Sequence, residues 1–82
     1  MQNLKIINEE VAGVIRVTEN TQFNKIHADK IVVSENITAR LFGSVKNIIL
    51  KKGAKLFLHG VILGKVRNGG GEIFVFQEGT GA

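Results

Sequence analysis

The amino-acid sequence predicts an all-β fold, a short single-stranded parallel β-solenoid (a right-handed β-helix) with four to five coils of about 17 residues. The first observation is an echo, since residues 14–20 read VIRVTEN and residues 30–36 read KIVVSEN. The second is an alternation of apolar and polar residues with period two, which is the periodicity of β-strands. The third is the presence of ten glycines and no proline in 82 residues, which favours short strands separated by turns.

Residues of one type return at the same position of each predicted coil. The turn positions carry the residues that accept positive φ most readily, and these are Asn20, Asn36, Gly53 and Gly70. Two apolar columns are predicted to follow the turns. The first contains Phe23, Ala39, Leu56 and Ile73, and the second contains Leu41, Leu58 and Val75, with Lys25 in its first place. Stacked at the ~4.8 Å spacing of strands, such columns form one continuous core.

The repeat becomes irregular in its fourth copy. At a spacing of seventeen residues, Lys65 and Arg67 fall on apolar positions, and Val66 lies between them. The stretches LFGSVKN (41–47) and ILGKVRN (62–68) echo each other at a different offset, twenty-one, which implies an inserted loop. The alternative fold is a small antiparallel barrel or sandwich, which explains the composition equally well but gives no reason for aligned columns.

The length is that of one small domain, which we predict to span residues 1–82. Residues 1–12 are expected to form an N-terminal cap or first strand, and residues 77–82 a flexible tail. The chain has no cysteine, so a disulfide-stapled scaffold is not expected. The N-terminus MQNLKIINEE has no apolar stretch of signal-peptide length, and no run approaches the ~20 apolar residues of a membrane span. We therefore expect a cytoplasmic location.

The net charge of +4 is unevenly placed, because residues 37–71 hold seven cations and no carboxylate. Such a segment can attract nucleic acid, anionic lipid or an acidic protein surface. The candidate residues for an anionic partner are Lys51, Lys52, Lys55, Lys65 and Arg67. Nucleic acid is not favoured, because there is no Tyr or Trp for base stacking and no recognition helix, whereas an anionic membrane surface stays open. Alternatively, these lysines only keep a β-rich surface soluble.

No motif for catalysis, cofactor binding or metal binding is visible in the sequence. His27 and His59 are isolated, without a cysteine or a carboxylate at ligand spacing. The stretch NGGGE (68–72) lacks the lysine of a phosphate-binding loop and is typical of a wide turn. We therefore expect no enzymatic activity, no cofactor and no metal.

Three phenylalanines are candidates for contact with another protein. If the columns of Leu58 and its neighbours point inward, strand alternation directs Phe57 and Phe74 outward, one above the other, as an exposed aromatic ladder. A register shifted by one residue would bury these rings in the core instead. Phe76 belongs to the apolar strand IFVF (73–76) and is the third candidate, because aromatic rings concentrate interface energy.

The stretch ITARLFGSVKNIILKKGAKLFLHGVILGKVRNGGGEIFVF (37–76) resembles the bactofilins, polymer-forming bacterial proteins built on a short right-handed β-helix. GSVKNIIL and GKVRN resemble the glycine-led strands of that family, and KIVVSEN and IILKKG resemble its polar turns. The resemblance covers residues 13–76. It implies a non-enzymatic scaffold that assembles through the ends of its helix, and it transfers no catalytic residue.

The sequence thus predicts a non-enzymatic structural or interaction protein that acts through protein–protein contacts. The leading hypothesis is a self-assembling scaffold of the bactofilin type, which is a homo-oligomer. The alternative is a small immunity protein that binds and neutralises a toxin domain. The predicted partner is a protein in both cases, either another copy of this chain or a toxin-like protein.

Overall fold

A computed structural model describes residues 4–76, which form six β-strands and contain no helix. The strands are β1 (Lys5–Val17), β2 (Thr21–Val33), β3 (Thr38–Leu50), β4 (Lys55–Ile62), β5 (Val66–Asn68) and β6 (Glu72–Phe76). Within residues 4–76 there is accordingly no helix long and apolar enough to cross a membrane. The predicted tail, residues 77–82, lies outside the described residues.

Every strand pairing in the sheet is parallel, in the order β1-β2-β3-β4-β6. The short strand β5 also pairs with β3, so that β4 and β5 are two parts of the same coil. The chain therefore winds as a β-solenoid of about four turns with a spacing of ~17 residues. The predicted fold is confirmed, and the antiparallel alternative is wrong.

Each coil bends twice, and the burial pattern of β2 records both bends. Buried positions in β2 are two residues apart along straight segments and three apart at the bends, and they are 21, 23, 26, 28, 31 and 33. The coil thus has three short sides. Side 1 comprises residues 5–8, 21–24, 38–42, 55–59 and 72–76. Side 2 comprises residues 11–13, 26–28, 43–45 and 60–62, and side 3 comprises residues 15–17, 31–33, 48–50 and 66–68.

The inward side chains of successive coils form the columns of the core. On side 3 the column is Ile15, Ile31, Ile48 and Val66. On side 1 the columns are Thr21, Ala39, Leu56 and Ile73, and Phe23, Leu41, Leu58 and Val75. The predicted place of Phe23, in the Ala39 column, is therefore wrong, and Lys25 heads no column. The reason lies in the turns between the coils. Val17 is in register with Val33, but Thr21 follows Val17 by four residues whereas its partner Ala39 follows Val33 by six, which shifts side 1 of the first two coils relative to the rest.

The predicted turn column is correct in three of its four members. Asn36, Gly53 and Gly70 have positive φ angles of 59°, 75° and 121°. The backbone N–H of Asn36 donates to the carbonyl of Lys52, and that of Gly53 donates to the carbonyl of Gly70.

Asn20 does not belong to this turn column, since its φ is not positive. Its shorter turn needs no left-handed residue. Its side-chain oxygen instead accepts a hydrogen bond from the backbone N–H of Thr38 at 2.8 Å, which ties two coils together.

The irregular fourth coil contains one additional residue rather than an inserted loop. Val66 pairs with Ile48 at an offset of eighteen, which keeps Val66 in the inward column and turns Lys65 and Arg67 outward. The twenty-one-residue echo matches no pairing, because Leu41 is in register with Leu58. The inserted-loop interpretation is wrong.

The bend between sides 1 and 2 requires glycine in two successive coils. A Cβ atom on Gly43 would overlap the carbonyl oxygen of Ile26, and a Cβ on Gly60 would overlap the carbonyl oxygen of Gly43. Backbones of neighbouring coils approach too closely at this bend for any side chain. The seventeen-residue spacing of these glycines follows from this constraint.

Leu58 tests the assignment of the core. It is fully buried and lies in register between Leu41 and Val75. Leu58→Ala should lower the free energy of unfolding in urea by about 2–5 kcal/mol, because it removes buried methyl groups and leaves a cavity. The control Leu63→Ala, at a side chain that is 63% exposed, should change it by less than about 0.5 kcal/mol. Equal effects of the two substitutions would contradict the core assignment.

Asn36 tests the left-handed turn. Asn36→Gly should be nearly neutral, whereas Asn36→Val should lower the free energy of unfolding by about 1 kcal/mol or more, because β-branched residues resist positive φ. Glu35→Val is the matched control, since Glu35 is an exposed neighbour without positive φ, and it should have little effect. The turn assignment fails if the Gly and Val variants of Asn36 are equally stable in chemical denaturation.

Candidate protein-contact surface

The outward surface of side 1 carries most of the aromatic residues of the chain. On β3, β4 and β6 the inward residues Leu41, Leu58 and Val75 alternate with outward rings. These outward rings define the aromatic face, which consists of Phe42, Phe57, His59, Phe74 and Phe76. The register places them in two adjacent rows that run along the solenoid axis.

Both rows are stacked ladders. In one row the Phe57 and Phe74 ring centroids are 5.0 Å apart, with 12° between the ring planes. In the other row His59 lies between two rings, 4.5 Å from Phe42 and 4.7 Å from Phe76. The spacing is close to that of the strands, so the parallel register itself stacks the rings. Each aromatic pair of this kind adds about 0.5–1.5 kcal/mol beyond the area that it buries.

The ladder of Phe57 and Phe74 points outward, as the alternation predicted, and the alternative of a register shifted by one is wrong. Phe76 lies in the second row, over His59. The sequence interpretation missed Phe42 and His59 as members. The signal was present, because Phe42, His59 and Phe76 are separated by seventeen residues each. Whether the face contacts another protein stays a prediction.

A cation extends the first row toward the N-terminus. Arg40 pairs with Phe57 in register, and its guanidinium carbon lies 5.9 Å from the centroid of the Phe57 ring. This distance is within the range of a cation–π interaction. The row of Phe57 and Phe74 therefore has one positive charge at its β3 end.

The first two coils carry amides in place of rings on side 1. The Asn24 side-chain amide donates to the Asn8 side-chain oxygen at 2.6 Å, and Gln22 donates to the Asn24 oxygen at 2.9 Å. These residues share the outward positions of side 1 in β1 and β2 with Ile6, which is 49% exposed and in register with Gln22. Side 1 thus changes along the axis from hydrogen-bonded amides with one aliphatic side chain to an aromatic surface.

The aromatic face ends at an open strand edge. Among residues 4–76, no strand pairs with the far edge of β6. Val75 occupies an inward column but is 42% exposed, whereas Leu58, one coil below it, is fully buried. Phe74 and Phe76 each have a ring stacked on one side only within this range. An unpaired edge with apolar side chains is a template for another strand.

The edge at the other end of the solenoid is different in character. β1 pairs only with β2 within the described part of the chain. Lys5 aligns with Thr21 and so places a charge in the column that Ala39 and Leu56 fill with apolar groups. A lysine at such a position discourages strand addition. The two ends are therefore chemically unequal.

The five basic candidates do not form a single patch. Lys51, Lys65 and Arg67 border the outward surface of side 3. Lys52 lies in the turn beside Glu35, and Lys55 lies on side 1, in register with Thr38 and Glu72. The reason is that the turn at 51–54 separates side 3 from side 1.

Two cations that the sequence interpretation did not include complete the cluster on side 3. They are Arg16 and Lys30, which precede the acid-free segment but lie beside it in space. We call Arg16, Lys30, Lys51, Lys65 and Arg67 the basic face. Only the coil register brings these residues together, since they are spread over fifty residues of sequence.

The histidines have different surroundings. His27 is exposed, with its Nδ1 atom 3.3 Å from the Ser44 hydroxyl and its Nε2 atom 3.8 Å from a Glu10 carboxylate oxygen. His59 Nε2 is buried between rings and has no hydrogen-bond partner among the described residues. No group of three or more metal-ligating side chains occurs within residues 4–76.

Comparisons with known proteins give no relative. The chain matches no model of a protein family, no curated protein and no solved structure. The resemblance to bactofilins therefore stays a prediction from the sequence motifs.

His59 tests the energetics of the aromatic face. His59→Phe should raise the free energy of unfolding by about 1 kcal/mol, because it removes a buried nitrogen without a partner and keeps the ring in the ladder. Chemical denaturation monitored by circular dichroism measures this difference. His27→Phe, at the exposed histidine, is the control and should give no gain. A loss of stability in His59→Phe would contradict the stacked, unpaired environment of this ring.

Proposed function

We propose that this protein is a cytoplasmic, non-enzymatic structural protein that self-assembles through the β6 end of its solenoid. The observation that carries this proposal is the contrast between Leu58 and Val75. Both belong to one core column, and the first is fully buried while the second is 42% exposed at an unpaired edge of the described chain. Covering this edge with another strand would extend the core by one coil.

The chemistry of the two ends favours β6 of a second copy as the occupant. The residues at the β6 edge, 73–76, are all apolar, and two of them are aromatic. The β1 edge carries Lys5 in one inward column and Ile6 and Asn8 on its outward surface, without an aromatic ring, so it matches the rings of β6 less well. Two β6 edges match each other in polarity, and an antiparallel pairing between them would be an isologous contact.

The aromatic face supports the same contact. Phe74 and Phe76 stack on the rings below them and offer their other faces toward the open end. Rings of a second copy can extend both ladders across the interface. Aromatic residues at the centre of a desolvated contact provide a large part of the binding energy. The contact thus combines strand pairing with ring stacking.

The second candidate function is that of an immunity protein, which binds a toxin domain. The observation that favours it is the lateral position of Phe42, Phe57 and His59. Their edges face sideways from the solenoid, so a contact at its end does not cover them. A protein that docks on side 1 would cover the whole aromatic face.

Phe76 provides the test of self-assembly. The wild-type protein should sediment as a dimer or larger assembly whose fraction rises with concentration. Phe76→Lys should sediment as a monomer, because it places a charge at the apolar edge, with a far-ultraviolet circular dichroism spectrum like that of the wild type. Phe74→Lys, in the other row, should have the same effect.

Ile6→Lys is the matched control for this experiment. It introduces the same charge at an exposed apolar residue of the opposite end, and the assembly should persist. A wild-type protein that stays monomeric at high concentration would overturn the self-assembly proposal and leave the immunity alternative. Loss of assembly in Ile6→Lys as well as in Phe76→Lys would contradict the assignment to the β6 end.

A further inference from the structure

We propose that the basic face is a docking surface for an anionic membrane. It lies on the outward surface of side 3, apart from both the aromatic face and the β6 edge. The inference concerns a second surface with a different partner, and it does not depend on self-assembly. Its basis is the combination of cations, exposed aliphatic side chains and the shape of this side.

The cations lie on one side of the sheet, distributed over all four coils. Arg16 and Arg67 belong to the same outward column of side 3, which runs through Val32 and Ile49. At the spacing of strands this column covers roughly 14 Å. The other cations of the basic face line two adjoining shallow grooves beside this column. All five cations are exposed.

Aliphatic side chains accompany these cations. Val32 and Ile49 lie half-buried in the middle of the face. Val14 and Leu63 are 72% and 63% exposed at its border, where the coil bends between sides 2 and 3. Val14 is in register with Lys30, and the backbone N–H of Leu63 donates to Val45 in the coil below. Exposed aliphatic groups beside cations are typical of surfaces that enter the headgroup region of a bilayer.

Nearby carboxylates do not cancel this charge. Asp29 lies at the same bend, 3.8 Å from Lys46, which is not a member of the basic face. Glu19 and Glu35 lie in the turns that follow side 3, and Glu19 lines a cavity together with Arg16. The outward positions of side 3 itself are Arg16, Val32, Ile49 and Arg67, without a carboxylate.

The shape and composition of the face favour a membrane over nucleic acid. Arg16 and Arg67 lie on the sheet of side 3, and Lys30, Lys51 and Lys65 lie along its borders, so that all five cations can approach a bilayer from the same side. The phenylalanine rings within residues 4–76, which could stack on bases, are on side 1 or, for Phe23, in the core. Aliphatic groups such as Leu63 gain little from phosphates but can enter the lipid headgroup layer.

Vesicle binding tests the proposal. The intact protein should float with vesicles that contain phosphatidylcholine and phosphatidylserine, and not with phosphatidylcholine alone. The double variant Lys30→Glu and Arg67→Glu should reduce binding by about tenfold or more, since each basic residue near such a surface contributes to affinity. Added salt should weaken the binding of the wild type.

Two further variants distinguish binding through the basic face from binding that depends only on the net charge of the protein. Lys25→Glu with Lys55→Glu changes the net charge by the same amount at exposed residues outside the basic face, and it should reduce vesicle binding much less. Leu63→Ser leaves the charge unchanged and should weaken vesicle binding severalfold, which a purely electrostatic contact would not show. Circular dichroism confirms that each variant is folded.

Three outcomes would overturn the proposal. The first is the absence of binding to vesicles that contain phosphatidylserine. The second is an equal loss of binding in the two double variants. The third is tighter binding to a DNA duplex than to these vesicles. If the double variant Lys30→Glu and Arg67→Glu abolished that DNA binding and Leu63→Ser left it unchanged, the basic face would be assigned to nucleic acid.

Discussion

The structure depends on the parallel backbone ladder that joins each coil to the next. A single coil of about seventeen residues has two inward side chains on each of its three short sides, as β2 shows, and cannot bury them alone. The ladder places the next coil above it in register, so that Ile15, Ile31 and Ile48 become one column. The same register stacks the positive-φ turns, the glycines at the bend and the outward rings. The core, the turns and the surface therefore follow from one constraint.

A fold of this kind has ends, and these ends differ here. A barrel closes its sheet, whereas a solenoid leaves one strand edge at each terminus of the stack. The inward column that begins with Lys5 at β1 ends with Ile73 at β6, and the inward column that ends with Val75 begins with Ile7. Along side 1 the surface changes from amides to aromatic rings in the same direction. This gradient is the basis on which we propose strand addition at the β6 end, and the charge on side 3 is the basis for proposing a different partner there.

The sequence was sufficient to predict the fold class, the period and most of the core. These follow from apolar alternation and from spacings that need no three-dimensional information, such as Leu41 to Leu58 to Val75. The outward stacking of Phe57 on Phe74 was predicted from the same spacing. The wrong column for Phe23 and the wrong turn assignment of Asn20 have a common physical cause, which is that the turns differ in length. The connection from Val33 to Ala39 is two residues longer than the equivalent connection from Val17 to Thr21, and a fixed period cannot detect such a change.

The surfaces were harder to predict than the core. The basic face combines Arg16 and Lys30 with residues of the third and fourth coils, and the extra residue before Val66 turns Lys65 and Arg67 outward. His59 was interpreted as an isolated histidine because its stacking partners are seventeen residues away on either side. Such clusters become visible only after each coil has its correct register. What they bind depends on a second molecule, and the sequence of one chain does not contain it.

Amide hydrogen exchange as a function of protein concentration tests the central claim most directly. Exchange reports whether the backbone N–H groups of a strand are hydrogen-bonded, and the claim is that the β6 edge pairs with another copy. The N–H group of Glu72 donates to Ala54, and alternate residues of a strand point to opposite edges, so the N–H groups of Ile73 and Val75 face the open edge. The amides of Ile73 and Val75 should become more protected as concentration rises, while those of β1 and of the central strands β2 and β3 should not change. Exchange of residues 73–76 that is independent of concentration, or a rise in protection confined to β1, would contradict the account.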